Sequence, residues 1–519
     1  LRDGAQSEGV SFSTEDKLEI LKHLDDFGID FIEGGYPGSN PKDQQFFQAA
    51  RKRKLKHAKL VAFGSTRKAN TAPEDDKGLQ NLVEAGTEWI AIFGKSWDMQ
   101  LEKALQCSLE EGINIVEDSV AFLIKNKKRV IFDAEHYFDG WKANPKYAMK
   151  VLEAATSAGA EYLALCDTNG GTYPSDVKKA VLQVGKRFDV PLGIHAHNDS
   201  ELAVANSLAA VEAGAVMVQG TINGLGERCG NANLCSIIPT LVLKMGARTS
   251  IPDLTQLTSL SRFVGEIANI EADPKLPFVG RSAFAHKGGM HVSAVLKDTR
   301  TYEHMLPELV GNQRRILISE LAGTASLLAK SKELGIETEK DSGKEILEKL
   351  KVMEAEGFQF EAAEASLELL IRKLKGLQVQ PFQLKGFRLF MDVGGPTTIS
   401  EASIRVVDHN GNVEHTAADG NGPVNALDRA LRKALTKFYP VLSEVRLIDY
   451  KVRVIDGKDA TAAKVRVLIR STDGKSSWTT IGVSGNIIEA SLMALMDSIE
   501  YKLMKSGING SSVKKRKES

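Results

Sequence analysis

Cysteine is scarce: Cys107, Cys166, Cys229 and Cys235 are the only four in 519 residues. Their spacing fits neither a disulfide framework nor a zinc site, which suits a reducing compartment, the cytoplasm. No apolar run is long enough to cross a bilayer, and no signal peptide is recognisable, so no membrane partner is expected. An excess of one charge is also lacking. Lys plus Arg and Asp plus Glu number 67 each, which removes any electrostatic case for nucleic acid or an acidic lipid surface. The basic end, KKRKES after GINGSS, reads as a solvated tail over residues 508–519. Within these limits the length allows two or three globular domains.

What is present is an alternation. Up to about residue 246, nearly continuous apolar runs read as strands buried on both faces. They are DFIEGG (30–35), LVAFGS (60–65), WIAIFG (89–94), RVIFDAE (129–135), YLALCDT (162–168), LGIHAH (192–197) and MVQGTING (217–224). Each is followed by an amphipathic run. TEDKLEILKHLDDFG (14–28) has Thr14 as its cap, early acids and Gly28 as its stop. NPKYAMKVLEAATSAG and PSDVKKAVLQVGKRF repeat the pattern. The count is seven strands and eight helices, and the first helix has no strand before it. One strand upstream of Leu1 would complete the eight units of a TIM barrel. A doubly wound open sheet is the alternative. The barrel is favoured because Glu33, Ser65, Lys95, Glu135, Asp167, Thr168, His195, His197 and Asn223 all fall at strand C-terminal ends, which a barrel gathers into one mouth.

Residues 247–384 read as helical linker subdomains. From 385 to 507 the pattern becomes α+β with a weak internal repeat. SIRVVDHNGNVEHTAADGNGPVNALDRALRKAL (403–435) resembles KVRVLIRSTDGKSSWTTIGVSGNIIEASLMALMDSI (464–499). Each half reads as strand, turn, strand, glycine-containing corner and helix.

In GIHAHND, His195 and His197 share one side of a strand end, with Cα atoms roughly 6.5 Å apart. Such a pair alone arises often by chance, so its surroundings decide. The chain opens LRDGAQSEGVSF, which puts Arg2 and Asp3 at the same mouth. Two histidines and one carboxylate would hold a divalent cation with positions open for a ligand. Arg2 would bring a fixed cation toward a developing oxyanion. GLGERCGNANL (224–234) adds Glu227, Arg228 and Asn231, and Asn231 would either complete the metal site or orient a ligand. Cys229 has no base assigned to it and reads as a small buried residue rather than a nucleophile.

LRDGAQ followed after ten intervening residues by Lys17, HAHND, and GLGERCGN occur in this order. Together they resemble the acyl-CoA-condensing, metal-dependent TIM-barrel family. It contains 2-isopropylmalate, homocitrate and citramalate synthases, with hydroxymethylglutaryl-CoA lyase as a relative. EGGYPGSNPKD, FGSTRK, FGKSWD, DAEHYFDG and GNIIEASLMALMDSIEYKL look most like the citramalate-forming members. One departure is Glu201, where many members carry glycine, which raises the packing of the following helix as a question.

The resemblance implies a Claisen-type condensation of acetyl-CoA with pyruvate, followed by hydrolysis. It implies a divalent cation (Mg, Mn, Co or Zn) on Asp3, His195 and His197. Arg2 would stabilise the alkoxide, and Thr168 would bind the keto-acid carboxylate. His291 in GGMHVSAVL would be the base that deprotonates the acetyl methyl, with Tyr302 as its partner and Glu135 in the proton relay. His286 is a competing base, and His136 reads as structural. The family also implies a homodimer and a feedback effector, isoleucine or leucine, at the glycine corners of the C-terminal domain, with Ile487 and Ile488 as candidate apolar lining. The rival readings are a 2-isopropylmalate synthase taking a branched keto acid, a non-haem iron oxygenase with the same ligand set, and a non-enzymatic amino-acid sensor.

Overall fold

A computed structural model describes residues 1–319, 322–377, 380–392, 399–455 and 463–508. Residues 509–519 of the basic tail lie outside the described residues. The chain forms two units: Leu1–Phe284 with Met305–Arg314, and Ala285–His304 with Arg315–Ser519.

The first unit carries seven strands: β1 (Phe31–Gly35), β2 (Lys59–Ser65), β3 (Trp89–Lys95), β4 (Arg129–Glu135), β5 (Tyr162–Asp167), β6 (Leu192–Ala196) and β7 (Met217–Gln219). Their order in the sheet is their order in sequence, and every neighbouring pair is parallel. The sheet curls as a TIM barrel of seven strands. Among the described residues β1 pairs only with β2, and β7 only with β6, so the sheet is open between the strand carrying Glu33 and the last one.

Period-two alternation divides the side chains. On β4, Val130, Phe132 and Ala134 face out and join the core shared with the surrounding helices. Ile131 faces in and clusters with Val61, Phe63, Trp89 and Ala91 inside the barrel, against Phe31, Tyr162 and Met217. Phe31 packs edge-on to Trp89 with ring centres 4.9 Å apart, so aromatic side chains fill this part of the lumen. Asp133 and Glu135 share the inward parity of Ile131, nearer the C-terminal end of the strand.

Three local readings change. The helix Thr14–Phe27 is capped by Ser13, not Thr14: the Ser13 hydroxyl accepts from Asp16 N–H, and the Asp16 carboxylate accepts from Ser13 N–H. Gly28, at φ 100°, ends it. The last strand stops at Gln219 rather than running to residue 224. A Cβ at Gly220 would lie 2.5 Å from the Ala232 carbonyl oxygen, so the chain turns there beside the GLGERCGN loop. Asn223 is therefore not at a strand end. Its amide donates to the Ser261 carbonyl at 2.8 Å and accepts from the Ser261 hydroxyl at 2.6 Å, which ties it to the helix Leu257–Ile267.

In the second unit each half of the repeat gains a strand that the sequence reading did not assign. One sheet is antiparallel Phe382–Asp392, Ile399–Asp408 and Val413–Gly420, followed by the helix Pro423–Phe438. The other is Arg446–Val454, Val465–Thr472 and Ser477–Ser484, followed by the helix Ile487–Lys505. The first strand of each is largely exposed, although it is rich in apolar residues: Phe390 and Met391 of one, and Ile448, Val452 and Val454 of the other, stand exposed. Leu427, Leu431 and Leu435 of one helix and Leu495, Ile499 and Leu503 of the other share one core.

Candidate active site

Asp3 begins a short turn beside the end of β1, where Arg2 N–H donates to the Glu33 carbonyl at 3.1 Å. Its carboxylate faces β6. Asp3 Oδ2 lies 3.3 Å from His195 Nε2, and His195 Nε2 lies 3.3 Å from His197 Nε2. One donor atom from each residue falls within 4.8 Å of the others, and all three residues are buried. The Arg2 guanidinium pairs with Asp3 at 3.1 Å and Glu33 at 2.9 Å and stacks 3.7 Å above the Phe63 ring. That fixes a cation beside the donors.

The electrostatics fit a bound divalent cation. Burial opposes ionisation of Asp3, but Arg2, His195 and His197 outweigh it and hold its carboxyl below the usual value. Burial, reinforced by His195, pushes His197 down to about 4, so both ring nitrogens are not protonated together at neutral pH. His195 Nδ1 is 2.8 Å from Gln219 Oε1, an acceptor. Gln219 Oε1 therefore calls for a proton on Nδ1, and the neutral ring then has its lone pair on Nε2. That lone pair faces the carboxylate oxygen Asp3 Oδ2, and two acceptors at that distance repel unless a positive charge lies between them. Asp3 Oδ2, His197 Nδ1 and Asn231 Oδ1 are buried and make no hydrogen bond. The donor set suits a divalent cation.

Gln219, which the sequence reading missed, makes a second contact across the barrel: its Nε2 donates to Asp133 Oδ1 at 2.9 Å. Burial, then the charge of Glu33, pushes Asp133 up to about 7. The available signal was position: Asp133 and Gln219 are polar residues at inward-facing positions of their strands.

Glu135 pairs with Lys95 at 2.5 Å at the ends of β4 and β3. The Thr168 hydroxyl accepts from His136 N–H at 2.9 Å, which leaves its own O–H to donate to a ligand. Arg228 pairs with Asp199 at 2.7 Å and donates to the Thr168 carbonyl at 2.8 Å, so the exposed loop closes over the β5 end, and Cys229 within it is exposed, not buried as expected. Asp167 is not part of this group. It accepts from the Thr172 hydroxyl at 2.7 Å and from Asn206 at 3.2 Å, bracing its own turn. His136 is buried against Trp97 and 3.3 Å from Asp139.

In the second unit His291, exposed on the helix Gly289–Lys297, stacks on Tyr302 with ring centres 4.1 Å apart. His286 is buried in a pair with Glu303 at 3.1 Å. Of the two candidate bases, His291 alone has an accessible ring. At the second glycine corner, Asn486 accepts from Ile488 N–H at 2.9 Å and so caps one of the helix's free donors. Ile487 is exposed, while Ile488 packs against the domain core.

A barrel with this constellation defines a class, and the comparisons agree with it. The HMGL-like family model matches residues 1–264, the Homocitrate synthase post-HMGL domain-like model 278–357, and the LeuA allosteric (dimerisation) domain model 361–503. The chain belongs to the HMGL-like family, in its (R)-citramalate synthase branch. The (R)-citramalate synthase of Aquifex aeolicus is 56% identical over 97% of each chain. That of Geobacter sulfurreducens is 54% identical over 98% of this chain and 97% of its own. The 2-isopropylmalate synthase of Methanocaldococcus jannaschii is more distant, 32% identical over 97% of this chain and 94% of its own.

Proposed function

We propose that this chain condenses acetyl-CoA with pyruvate and hydrolyses the thioester, giving (R)-citramalate and CoA in isoleucine biosynthesis. The observation that carries the reading is the convergence of Asp3, His195 and His197 beside Arg2, in a chain more similar to (R)-citramalate synthases than to a 2-isopropylmalate synthase. Asp3, His195 and His197 would hold the cation, with Asn231 as a further ligand or an orienting group. When bound, a divalent cation supplies Lewis-acid polarisation of a chelated 2-keto acid. Arg2, already fixed by Glu33 and Phe63, neutralises negative charge developing on the keto oxygen without reorganising. Thr168 donates to the keto-acid carboxylate. His291, positioned by Tyr302, accepts a proton from the acetyl methyl group, and Glu135 hands on protons or orients the hydrolytic water.

The assignment of residues 1–246 as the catalytic barrel, 247–384 as linker subdomains and 385–507 as a regulatory and dimerisation domain belongs to the same proposal. So does isoleucine, before leucine, as effector, with Ile487 exposed at a helix start to meet it. A cytoplasmic location accords with four free cysteines and with the absence, among the described residues, of a helix able to cross a membrane. The test is CoA release across a panel of 2-keto acids, with Mg, Mn, Co and Zn supplied in turn. Pyruvate should be preferred, and preference for a branched keto acid would reassign the chain to 2-isopropylmalate synthesis. Oxygen uptake with iron and a keto acid would indicate an oxygenase instead, and no turnover at all a sensor.

A further inference from the structure

We propose that Gln219, oriented by Asp133, selects the tautomer of His195 that turns its Nε2 lone pair toward Asp3 and His197. The inference rests on the reading that these three residues hold a divalent cation. An imidazole ligates through an unprotonated nitrogen, so its other nitrogen must carry the proton. A glutamine is ambiguous in this role, because its amide can present either oxygen or nitrogen. With oxygen toward His195 Nδ1, the ring keeps its proton there. With nitrogen toward it, the ring must accept at Nδ1 and carry its proton on Nε2, in the ligand position.

Asp133 removes the ambiguity. Its Oδ1 accepts from Gln219 Nε2 at 2.9 Å, which leaves Gln219 Oε1 at 2.8 Å from His195 Nδ1. While Asp133 is a carboxylate, turning the amide over would set its oxygen against Asp133 Oδ1, acceptor against acceptor, beside the buried Asp133 and His195 side chains. The backbone supports the arrangement: His195 and Gln219 are register partners on β6 and β7. Asp133 comes from β4, so the chain of contacts crosses the barrel and joins strands that are not neighbours. Asp133 and Gln219 are positioning residues and touch no reacting atom in this scheme. A polar group holding the distal nitrogen of a ligating histidine is the general means of fixing such ligands.

The experiment uses the full chain labelled with 15N-histidine, with His195 identified by its loss in His195→Ala. Tautomers are read without metal, and Mn2+ affinity is read separately by electron paramagnetic resonance. The parent should show His195 protonated at Nδ1. In Gln219→Leu the pattern should shift toward the other tautomer, and Mn2+ affinity should fall by about 10- to 100-fold. The exchanged pair Asp133→Asn with Gln219→Glu reverses the bond between β4 and β7. The amide introduced on β4 donates, and the carboxylate introduced on β7 accepts both from it and from His195 Nδ1. This pair should restore the parental tautomer and near-parental affinity at unchanged total charge. An unchanged tautomer and affinity in Gln219→Leu would overturn the proposal, as would an exchanged pair no better than Gln219→Leu. If Gln219→Leu does not fold, the exchanged pair decides alone. A parent that binds no Mn2+ refutes the cation reading, while the metal-free tautomers still decide the role of Gln219.

Discussion

Two buried acids, one in each unit, are treated in opposite ways. Asp3 at the barrel mouth stays below the usual carboxylate range because Arg2, His195 and His197 outweigh its burial. Glu500 lies on the helix Ile487–Lys505 of the second unit and is 8% exposed. Burial, reinforced by Asp497, pushes it up to about 7 against the opposing charge of Lys373. Burial by itself neutralises a carboxyl group; neighbouring positive charge keeps one ionised. Asp3 has the neighbours a cation ligand needs, whereas Glu500 has the surroundings of an acid held by packing.

The strongest way to break the comparison is Asp3→Asn. It keeps the shape and removes the charge, so cation binding and turnover should fall together by about a thousandfold or more, with the melting temperature little changed. Cation affinity by calorimetry and CoA release check this; full activity without bound metal would refute the site. His291→Ala should leave cation binding intact but slow turnover by about 10²- to 10⁴-fold, read as lost exchange of acetyl methyl protons with deuterated water. His286→Ala should instead lower stability, because it leaves Glu303 without the imidazole 3.1 Å away.

A smaller effect sharpens the other side. The carboxyl of Glu500 is raised from 4.5 to about 7, so the native state binds a proton there more tightly than the unfolded chain does. The resulting penalty is absent below the unfolded value, grows as pH rises between the two values, and is complete above the folded one. Glu500→Gln should therefore stabilise the protein above neutral pH, by at most about 3 kcal/mol, and give no gain near pH ~4. Urea unfolding across that range measures it. The smallest effect concerns Glu201, which is exposed and sits at φ 58°, in the left-handed region. Glu201→Gly should stabilise by about 1 kcal/mol without altering activity. The strain explains why glycine suits this position, and the helix Ala203–Glu212 still forms after it.

The barrel was legible because strand periodicity is local. His195 and His197 share a face at i and i+2, and the strand-end polar residues mark one mouth whatever the helices do. The two exposed first strands of the C-terminal halves were not legible, because a register shift interrupts the period-two pattern within each, between Leu384 and Gly386 and between Leu447 and Asp449. Asn223 misled for a related reason. It follows an apolar run, but the close approach of Gly220 to Ala232 turns the chain before it.

The sequence by itself determined the parallel α/β alternation, the glycine-rich loop and the residue types able to hold a cation, because each depends on neighbours a few positions apart. Only the tertiary structure decided which of them act together. Asp133 and Gln219 are 86 residues apart and meet because the sheet curls until β4 and β7 face one lumen. Likewise, both His286 and His291 are compatible with a base by sequence. The fold buries one against Glu303 and leaves the other exposed on Tyr302. A hydrogen bond or a solvent-accessible ring depends on distances in space, and chain spacing does not specify those beyond a single element.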